Sequence, residues 1–149
     1  MKNQKRYYLS ILCAFLFTGI IYAQDQIGVT LRCDVAALNE GEDPATACRF
    51  VDQDPSMTTK EYTTYAEVGD TIIWKGESTD GSAAIDIKKI KYERGTNVFN
   101  KTDLDGTTTV VGSIVKKTNG KDYTYTISFK INNTGKMHSI DPKIRVGGD

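Results

Sequence analysis

The chain of 149 residues is long enough for one domain, and its 19 Lys and Arg residues balance 19 Asp and Glu residues. It carries no basic stripe that would release counterions from a nucleic-acid backbone, which argues against nucleic acid as a partner. One histidine and three cysteines leave few ligands for a metal centre built from these side chains.

The first 23 residues have the order of a secretory signal, namely a charged start, an apolar run and a small residue. Lys2, Lys5 and Arg6 precede the run, and we predict cleavage after Ala23. Lipid attachment at Cys13 is a weaker alternative because Cys13 lies inside the run, and an uncleaved anchor is weaker because a spanning helix needs roughly 20 apolar residues. The sequence therefore predicts a secreted or periplasmic protein, with no membrane attachment after cleavage.

The mature part, residues 24–149, is predicted to form a single domain. Cleavage removes three basic and no acidic residues, so 16 basic residues face 19 acidic ones and the net charge becomes −3. Cys33 and Cys48 remain, and in an oxidising compartment we expect them to form a disulfide bond. Closing a loop of this length is worth about 3 kcal/mol in the chain-entropy model.

Apolar and polar residues alternate along much of the mature chain, which is the pattern of strands with one buried face. No convincing amphipathic helix interrupts this pattern. Short strands with regular turn signals between them predict an all-β fold, an antiparallel Greek-key β-sandwich. The predicted strands are 27–35, 47–51, 61–67, 71–76, 85–92, 107–118, 123–131 and 140–146.

Residues 68–78 combine a glycine turn with a strongly β-prone run. Gly69 allows a positive φ, and Asp70 can accept a hydrogen bond from its own backbone. Trp74 lies in the middle of the strand that follows. A sugar-stacking platform is one interpretation of this residue, but a lone tryptophan in such a place is more often part of the core. We therefore predict structural roles for all three residues.

Three more features are predicted to shape the strands. Asn119 and Gly120 suit the two positive-φ positions of a tight hairpin between the sixth and seventh predicted strands. Pro142 lacks an N–H and should begin the last strand or lie on an edge. The apolar positions of 85–92 change phase near Lys88, which predicts a β-bulge, and a helix is the competing interpretation.

Candidate catalytic and metal-binding groups are few. His138 is expected to be exposed near a turn, and no nucleophile motif supports a Ser/His/Asp triad. Asp103 and Asp105, followed by Gly106, resemble the start of a calcium loop, but the later ligands are missing and an ordinary turn has the same pattern. Calcium binding at this pair stays open. We predict no catalytic residues, no metal ligands and no cofactor.

One known family shares part of this pattern. Residues 68–74, the tyrosine-rich strand and residues 135–138 are similar to the outline of cupredoxins, in which a glycine-aspartate turn leads into a tryptophan strand and copper ligands lie near the end. Here no histidine lies between Trp74 and His138, and the C-terminal part has no cysteine. A type 1 copper site needs two imidazoles and a thiolate, so this resemblance implies a sandwich without copper.

A second resemblance covers more of the chain. Residues 50–52, 68–76, 123–131 and 140–144 resemble the AidA/PixA family of bacterial inclusion-body proteins, which have a glycine-aspartate turn into a tryptophan strand and finish with an Asp-Pro strand. The resemblance implies a non-enzymatic β-sandwich that self-associates. The predicted signal and the cysteine pair depart from this family and argue against a storage role inside the cell.

The leading hypothesis is an exported, non-enzymatic β-sandwich that acts by self-assembly or by binding a protein or glycan ligand of unknown identity. A carbohydrate-binding or adhesin-type module is the first alternative, and it would use exposed tyrosine and aspartate residues in loops. A small secreted hydrolase with paired carboxylates in a concave pocket is the second. The tyrosines considered for the first alternative are Tyr62, Tyr65, Tyr92, Tyr123 and Tyr125.

Overall fold

The computed structural model describes residues 24–147, so the predicted signal at residues 1–23 lies outside the described residues. Within the described part the chain forms ten strands and two short helices. No helix between residues 24 and 147 is long and apolar enough to span a membrane. The elements are β1 (Gln26–Cys33), α1 (Val35–Glu40), α2 (Pro44–Ala47), β2 (Cys48–Phe50), β3 (Thr63–Ala66), β4 (Thr71–Ser78), β5 (Ile85–Arg94), β6 (Asp103–Asp105), β7 (Val110–Ser113), β8 (Tyr123–Ile131), β9 (Thr134–Ile140) and β10 (Lys143–Val146).

The strands form two sheets that pack face to face. Sheet A has the strand order β2-β1-β4-β7, and sheet B has the order β3-β10-β8-β5-β6, with β9 also paired to β8. The predicted all-β sandwich is therefore confirmed. The sheets are mixed rather than purely antiparallel, because β1 pairs with β4 and β3 pairs with β10 in parallel. Both parallel pairs join strands far apart in the chain, and alternation along a strand does not reveal its direction.

Apolar side chains from the inner faces of both sheets fill the space between them. On β1 the alternate residues Val29, Leu31 and Cys33 are buried. Trp74 of β4 is 1% exposed, and its Nε1 donates a 3.0 Å hydrogen bond to the Tyr125 hydroxyl of β8. The two rings also meet edge to face, with 5.8 Å between their centroids. This pair therefore links sheet A to sheet B through the core.

Strand β5 contains the predicted bulge. Its register against β8 shifts between Ile87 and Lys89, and Ile87 and Ile90 are both fully buried as a result. The bulge prediction is confirmed, and the helix interpretation of this segment is wrong. A second register shift, which is not predicted from the sequence, lies between Tyr92 and Arg94.

The two short helices correct the expectation of a chain without helices. The first predicted strand extends to Val35, but that residue begins α1. Asp34 caps the helix because its Oδ1 accepts a 3.1 Å hydrogen bond from the Ala37 N–H, and Gly41 ends it with φ of 94°. A helix of six residues with two of them buried offers too little periodicity to be detected from the sequence.

The turn at Asn119 and Gly120 does not form the predicted hairpin. Both residues have positive φ, at 50° and 74°, but β7 pairs with β4 in sheet A whereas β8 lies in sheet B. The turn therefore connects the two sheets. The tight hairpin of this region joins β8 to β9 through Asn132 and Asn133, which have φ of 47° and 58°.

Strands β6 and β9 are not predicted from the sequence, and β7 is shorter than predicted. Strand β6 covers Asp103–Asp105, which the sequence assigns to a polar turn, and it pairs antiparallel with β5. In β9 only His138 and Ile140 are buried, so its apolar alternation is too weak to see. Strand β7 is limited to Val110–Ser113.

Candidate functional site

The glycine turn before β4 holds the residue that precedes β1 in place. Gly69 has φ of 105°, and its N–H donates a 2.9 Å hydrogen bond to the Ile114 carbonyl. The buried Asp70 carboxylate accepts hydrogen bonds from the N–H groups of Glu67, at 2.8 Å, and Asp25, at 3.1 Å. These contacts tie the residue before β1 to the turn, which is a structural role.

The two cysteines of the described chain lie at the ends of β1 and β2. Cys33 is directly opposite Cys48 in the strand register, and their sulfur atoms are 2.08 Å apart, as in a disulfide bond. The residues are 0% and 3% exposed, and the bond encloses α1 and α2 in one loop. Because solvent does not reach the sulfurs, the pair is suited to stabilising the fold rather than to thiol chemistry.

Pro142 is buried and directly precedes β10. Its carbonyl accepts a 3.2 Å hydrogen bond from the Tyr125 N–H of β8. A proline fits here because the pairing of β10 with β8 begins only at Lys143. The residue therefore marks the start of the last strand.

Asp103 and Asp105 lie in β6, so their assignment to a turn is wrong. The Lys89 Nζ is 3.4 Å from Asp105 Oδ1 and 4.0 Å from Asp103 Oδ2. Between residues 24 and 147 no group of three or more His, Cys, Asp or Glu side chains is arranged to hold a metal ion. The two carboxylates therefore face a lysine across the strand pair.

The expectation that His138 is exposed is wrong. The residue is 9% exposed, and its ring stacks on Phe129 of β8 with 5.4 Å between centroids. Burial, and secondly the charge of Lys136, lower the pKa of His138 below the ordinary value of 6.5. The imidazole is therefore neutral at pH 7, and its stacking on an aromatic ring is a packing arrangement rather than that of a base beside a nucleophile.

Most of the tyrosines considered for a carbohydrate platform are not available for stacking. Tyr62, Tyr123 and Tyr125 are 7%, 1% and 0% exposed, and Tyr92 is half-buried against Tyr123. Tyr65 alone among the five is well exposed, at 68%. The geometry therefore does not support an aromatic carbohydrate platform built from these residues.

Tyr65 lies on β3, the strand at one edge of sheet B. We call Thr63–Ala66 the β3 edge. Among the described residues β3 pairs only with β10. Tyr65 contributes to two shallow depressions, of about 330 and 250 Å³. Hydrogen bonds from Thr58 hold the pKa of Glu61 below its usual range, so this carboxylate stays charged at neutral pH. The acidic residues that line the two depressions are Asp25, Asp52, Asp54, Glu61, Glu67 and Asp70.

The outer face of sheet B holds a polar trough of about 510 Å³. Thr124 of β8 has Arg94 of β5 opposite it on one side and Lys143 of β10 on the other. The second register shift of β5 explains how the neighbours Glu93 and Arg94 both reach the trough, since successive residues of a regular strand face opposite sides. We call this feature the sheet B trough, and it is lined by Lys60, Glu93, Arg94, Thr124, Thr126, Ser139, Asp141 and Lys143.

The charges of the sheet B trough are only partly paired. The Thr126 hydroxyl lies 3.0 Å from Glu93 Oε1 and 2.7 Å from Asp141 Oδ1, and its single proton serves one carboxylate at a time. Lys91, at 3.2 Å, and then Thr126 hold the pKa of Glu93 below its usual range. Three basic residues of the trough form no ion pair within 4.0 Å with any residue of 24–147. They are Lys60, Arg94 and Lys143.

None of the trough residues is predicted from the sequence to belong to a functional site. They range from position 60 to position 143 and meet only in the folded sheet. The strict alternation of β8, which places Thr124 and Thr126 on the outer face, is the one sequence signal for part of the site. The exposure of Tyr65 could have been inferred from the alternation Thr64, Tyr65, Ala66 within β3.

Residues 25–138 match the model of a protein family described as a domain of unknown function, DUF8788. The chain belongs to this family. The match includes the disulfide, the β3 edge and the trough residues of β5 and β8. A comparison with curated proteins gives no match.

Among solved structures, the DUF8788 chain is similar to the inclusion body protein PixA from Burkholderia cenocepacia. The two share 12% sequence identity, and the TM-score is 0.54 over 88% of this chain and 99% of that chain. At this identity the likeness shows the fold alone. At the level of the fold it confirms the predicted resemblance to the AidA/PixA family.

Proposed function

We propose that this protein is exported and acts without catalysis, by associating with copies of itself through the β3 edge. The observation that carries the proposal is the 68% exposure of Tyr65 on an edge strand of sheet B. The fold neighbour is named an inclusion body protein, which supports association as the mode of action. The predicted signal and the buried cysteine pair support export.

The backbone of β3 supports pairing with another chain. Lys143 donates a 3.0 Å hydrogen bond to the Tyr62 carbonyl, and Gly147 donates one of 2.9 Å to the Ala66 carbonyl. Backbone groups point to alternate sides along a strand, so those of Thr63 and Tyr65 point away from β10. An edge of this kind is a template for strand addition.

A second copy is the partner that fits the β3 edge best. In a two-fold contact the two β3 strands run antiparallel, and each edge supplies the same surface, so a single protruding side chain is buried twice. Tyr65 beside its two depressions provides such a surface. The strand has only four residues, and carboxylates surround it on both copies. We therefore expect a weak association that strengthens when salt screens the repulsion.

The paired carboxylates of the sheet B trough do not favour a hydrolase. A glycosidase needs one carboxylic acid with a raised pKa to protonate the leaving group. Glu93, in contrast, has a pKa below its usual range because Lys91 and Thr126 stabilise its charged form. This supports a non-catalytic role for the pair of Glu93 and Asp141.

Sedimentation velocity over a range of protein concentrations tests the proposal on the mature chain, residues 24–149. We expect larger species at high concentration, and more of them in about 0.5 M than in about 0.05 M NaCl. Tyr65→Ser should weaken association by about tenfold or more, because it removes a central aromatic contact and leaves the charge of the edge unchanged.

Val111→Ser is the matched control, since Val111 is 55% exposed on β7, one of the two edge strands of sheet A. It should leave association unchanged. A monomer at every concentration would contradict the proposal, and so would an equal loss of association in both variants. Weaker association at high salt would contradict the pairing of one β3 edge with another.

A further inference from the structure

The residues that line the sheet B trough carry more positive than negative charge. Lys60, Arg94 and Lys143 line the trough and take part in no ion pair within 4.0 Å among residues 24–147. Arg94 and Lys143 lie on the two strands next to β8, opposite the same residue, Thr124. Strands in a sheet are about 4.8 Å apart, so the two backbones are about 10 Å apart. Their long side chains can therefore reach one small anion above Thr124.

The bulge in β5 gives the trough acceptors as well as cations. A regular strand would turn Glu93 and Arg94 to opposite faces, whereas both line the trough here. Bulges commonly redirect a side chain toward a site in this way. The carboxylates of Glu93 and Asp141 share the single proton of Thr126, so they keep lone pairs for other donors.

The charge balance selects the class of ligand. Three cations and two carboxylates line the trough, which leaves a net charge of +1 that matches one negative charge. A phosphate with two negative charges would meet two carboxylates at close range, which disfavours it. Hydroxyl groups on the ligand, in contrast, would find acceptors in Glu93 and Asp141 and a further partner in Thr124.

We propose that the sheet B trough binds an acidic sugar. Arg94 and Lys143 hold its carboxylate, Lys60 adds positive charge at the rim, and Glu93 and Asp141 accept hydrogen bonds from its hydroxyls. The trough volume of about 510 Å³ lies within the range of roughly 300 to 1,000 Å³ that small-molecule sites occupy. This site needs no aromatic platform, and it does not depend on association through the β3 edge.

Titration of the mature chain followed by NMR tests the proposal with three probes. Glucuronate carries both the carboxylate and the hydroxyls, glucose carries only hydroxyls, and propionate carries only the carboxylate. We expect glucuronate to bind with shifts centred on β5, β8 and β10, and to bind about tenfold more tightly than either of the other two. Equal binding of glucose would overturn recognition of the charge, and equal binding of propionate would overturn recognition of the hydroxyls. No binding of glucuronate would overturn the proposal altogether.

Arg94→Gln and Lys143→Gln test the assigned residues. Each should weaken glucuronate binding by about tenfold, because a charge-assisted hydrogen bond is lost. Lys75→Gln is the matched control, since it removes the same charge from an exposed position on sheet A. Equal weakening by Lys75→Gln would show a general charge effect and overturn the site. Tyr65→Ser, which adds no charge, should bind glucuronate as the unmodified chain does, so loss of association and loss of sugar binding can be told apart.

Discussion

The hydroxyl groups of two neighbouring residues of strand β8 lie in opposite environments, one on its inner face and one on its outer face. On the inner face Tyr125 is fully buried, and its hydroxyl accepts a 3.0 Å hydrogen bond from Trp74. On the outer face Thr126 stands between two carboxylates and beside cations that lack ion-pair partners among the described residues. A buried polar group needs a partner within the fold, whereas an outer one keeps its capacity for a ligand. We therefore expect inner-face changes to alter stability and outer-face changes to alter binding.

Trp74→Ala should have the largest effect on stability. It removes a buried ring that links the two sheets, and we expect unfolding in denaturant to require about 3 to 5 kcal/mol less free energy. Lys75→Ala, at the next position but exposed, should change stability by less than about 0.5 kcal/mol. A loss below about 1 kcal/mol for Trp74→Ala would show that the inner face is not where stability resides.

Loss of the disulfide should come next in size. The double variant Cys33→Ala and Cys48→Ala should lose about 3 kcal/mol, because its unfolded chain has no cross-link and regains the entropy of an open loop. Reducing agent should lower the stability of the unmodified chain by a similar amount and leave the double variant unchanged. A response of the double variant to the reducing agent would contradict this explanation.

His138 should make stability depend on pH. Its pKa is lower in the folded state than the ordinary value of 6.5, so the unfolded chain binds the proton more readily. The contribution is therefore complete above pH 6.5 and is lost as the pH falls through the folded pKa. The free energy of unfolding, measured from about pH 7.5 to about pH 5, should fall, and His138→Phe should remove that part of the slope while keeping the stack on Phe129. An unchanged slope would assign the pH dependence to other groups.

The smallest effect is expected on the outer face of β8. Thr126→Val removes one hydroxyl from the sheet B trough and should change the free energy of unfolding by less than about 0.5 kcal/mol. Tyr125→Phe removes one hydroxyl from the inner face and leaves the Trp74 N–H without its acceptor, at a cost of about 1 to 3 kcal/mol. Equal losses from the two variants would remove the distinction between the faces.

The sequence predicts strands best where one face is fully buried. Strand β8 has the predicted bounds, because its buried and half-buried residues alternate along nearly its whole length. In β9 only two of seven residues are buried, and β6 has none, so neither strand has an apolar pattern. Helix α1 buries only Val35 and Leu38, which lie within one helical turn, so no repeating apolar pattern indicates a helix.

The candidate sites could not be predicted because they depend on pairings between distant strands. Thr124 meets Arg94 and Lys143 through two separate strand registers, and neither register can be read from local composition. The register shift at Tyr92 also changes the direction of the side chains that follow. No change in the spacing of apolar residues marks this shift in the sequence. The β3 edge likewise becomes an edge because, among the described residues, β3 pairs with β10 alone.

The parallel pairing of β1 with β4 also affects how the chain reaches its native state. Partners such as Arg32 and Glu77 are 45 positions apart, and β2 and β3 lie between them in the chain. The centre of sheet A therefore cannot close until the polypeptide through Ser78 is available, and non-local sheets of this kind fold in about milliseconds to seconds. Such a delay leaves a newly synthesised polypeptide with its apolar residues and unpaired strand edges exposed for an interval, which is when aggregation competes with folding.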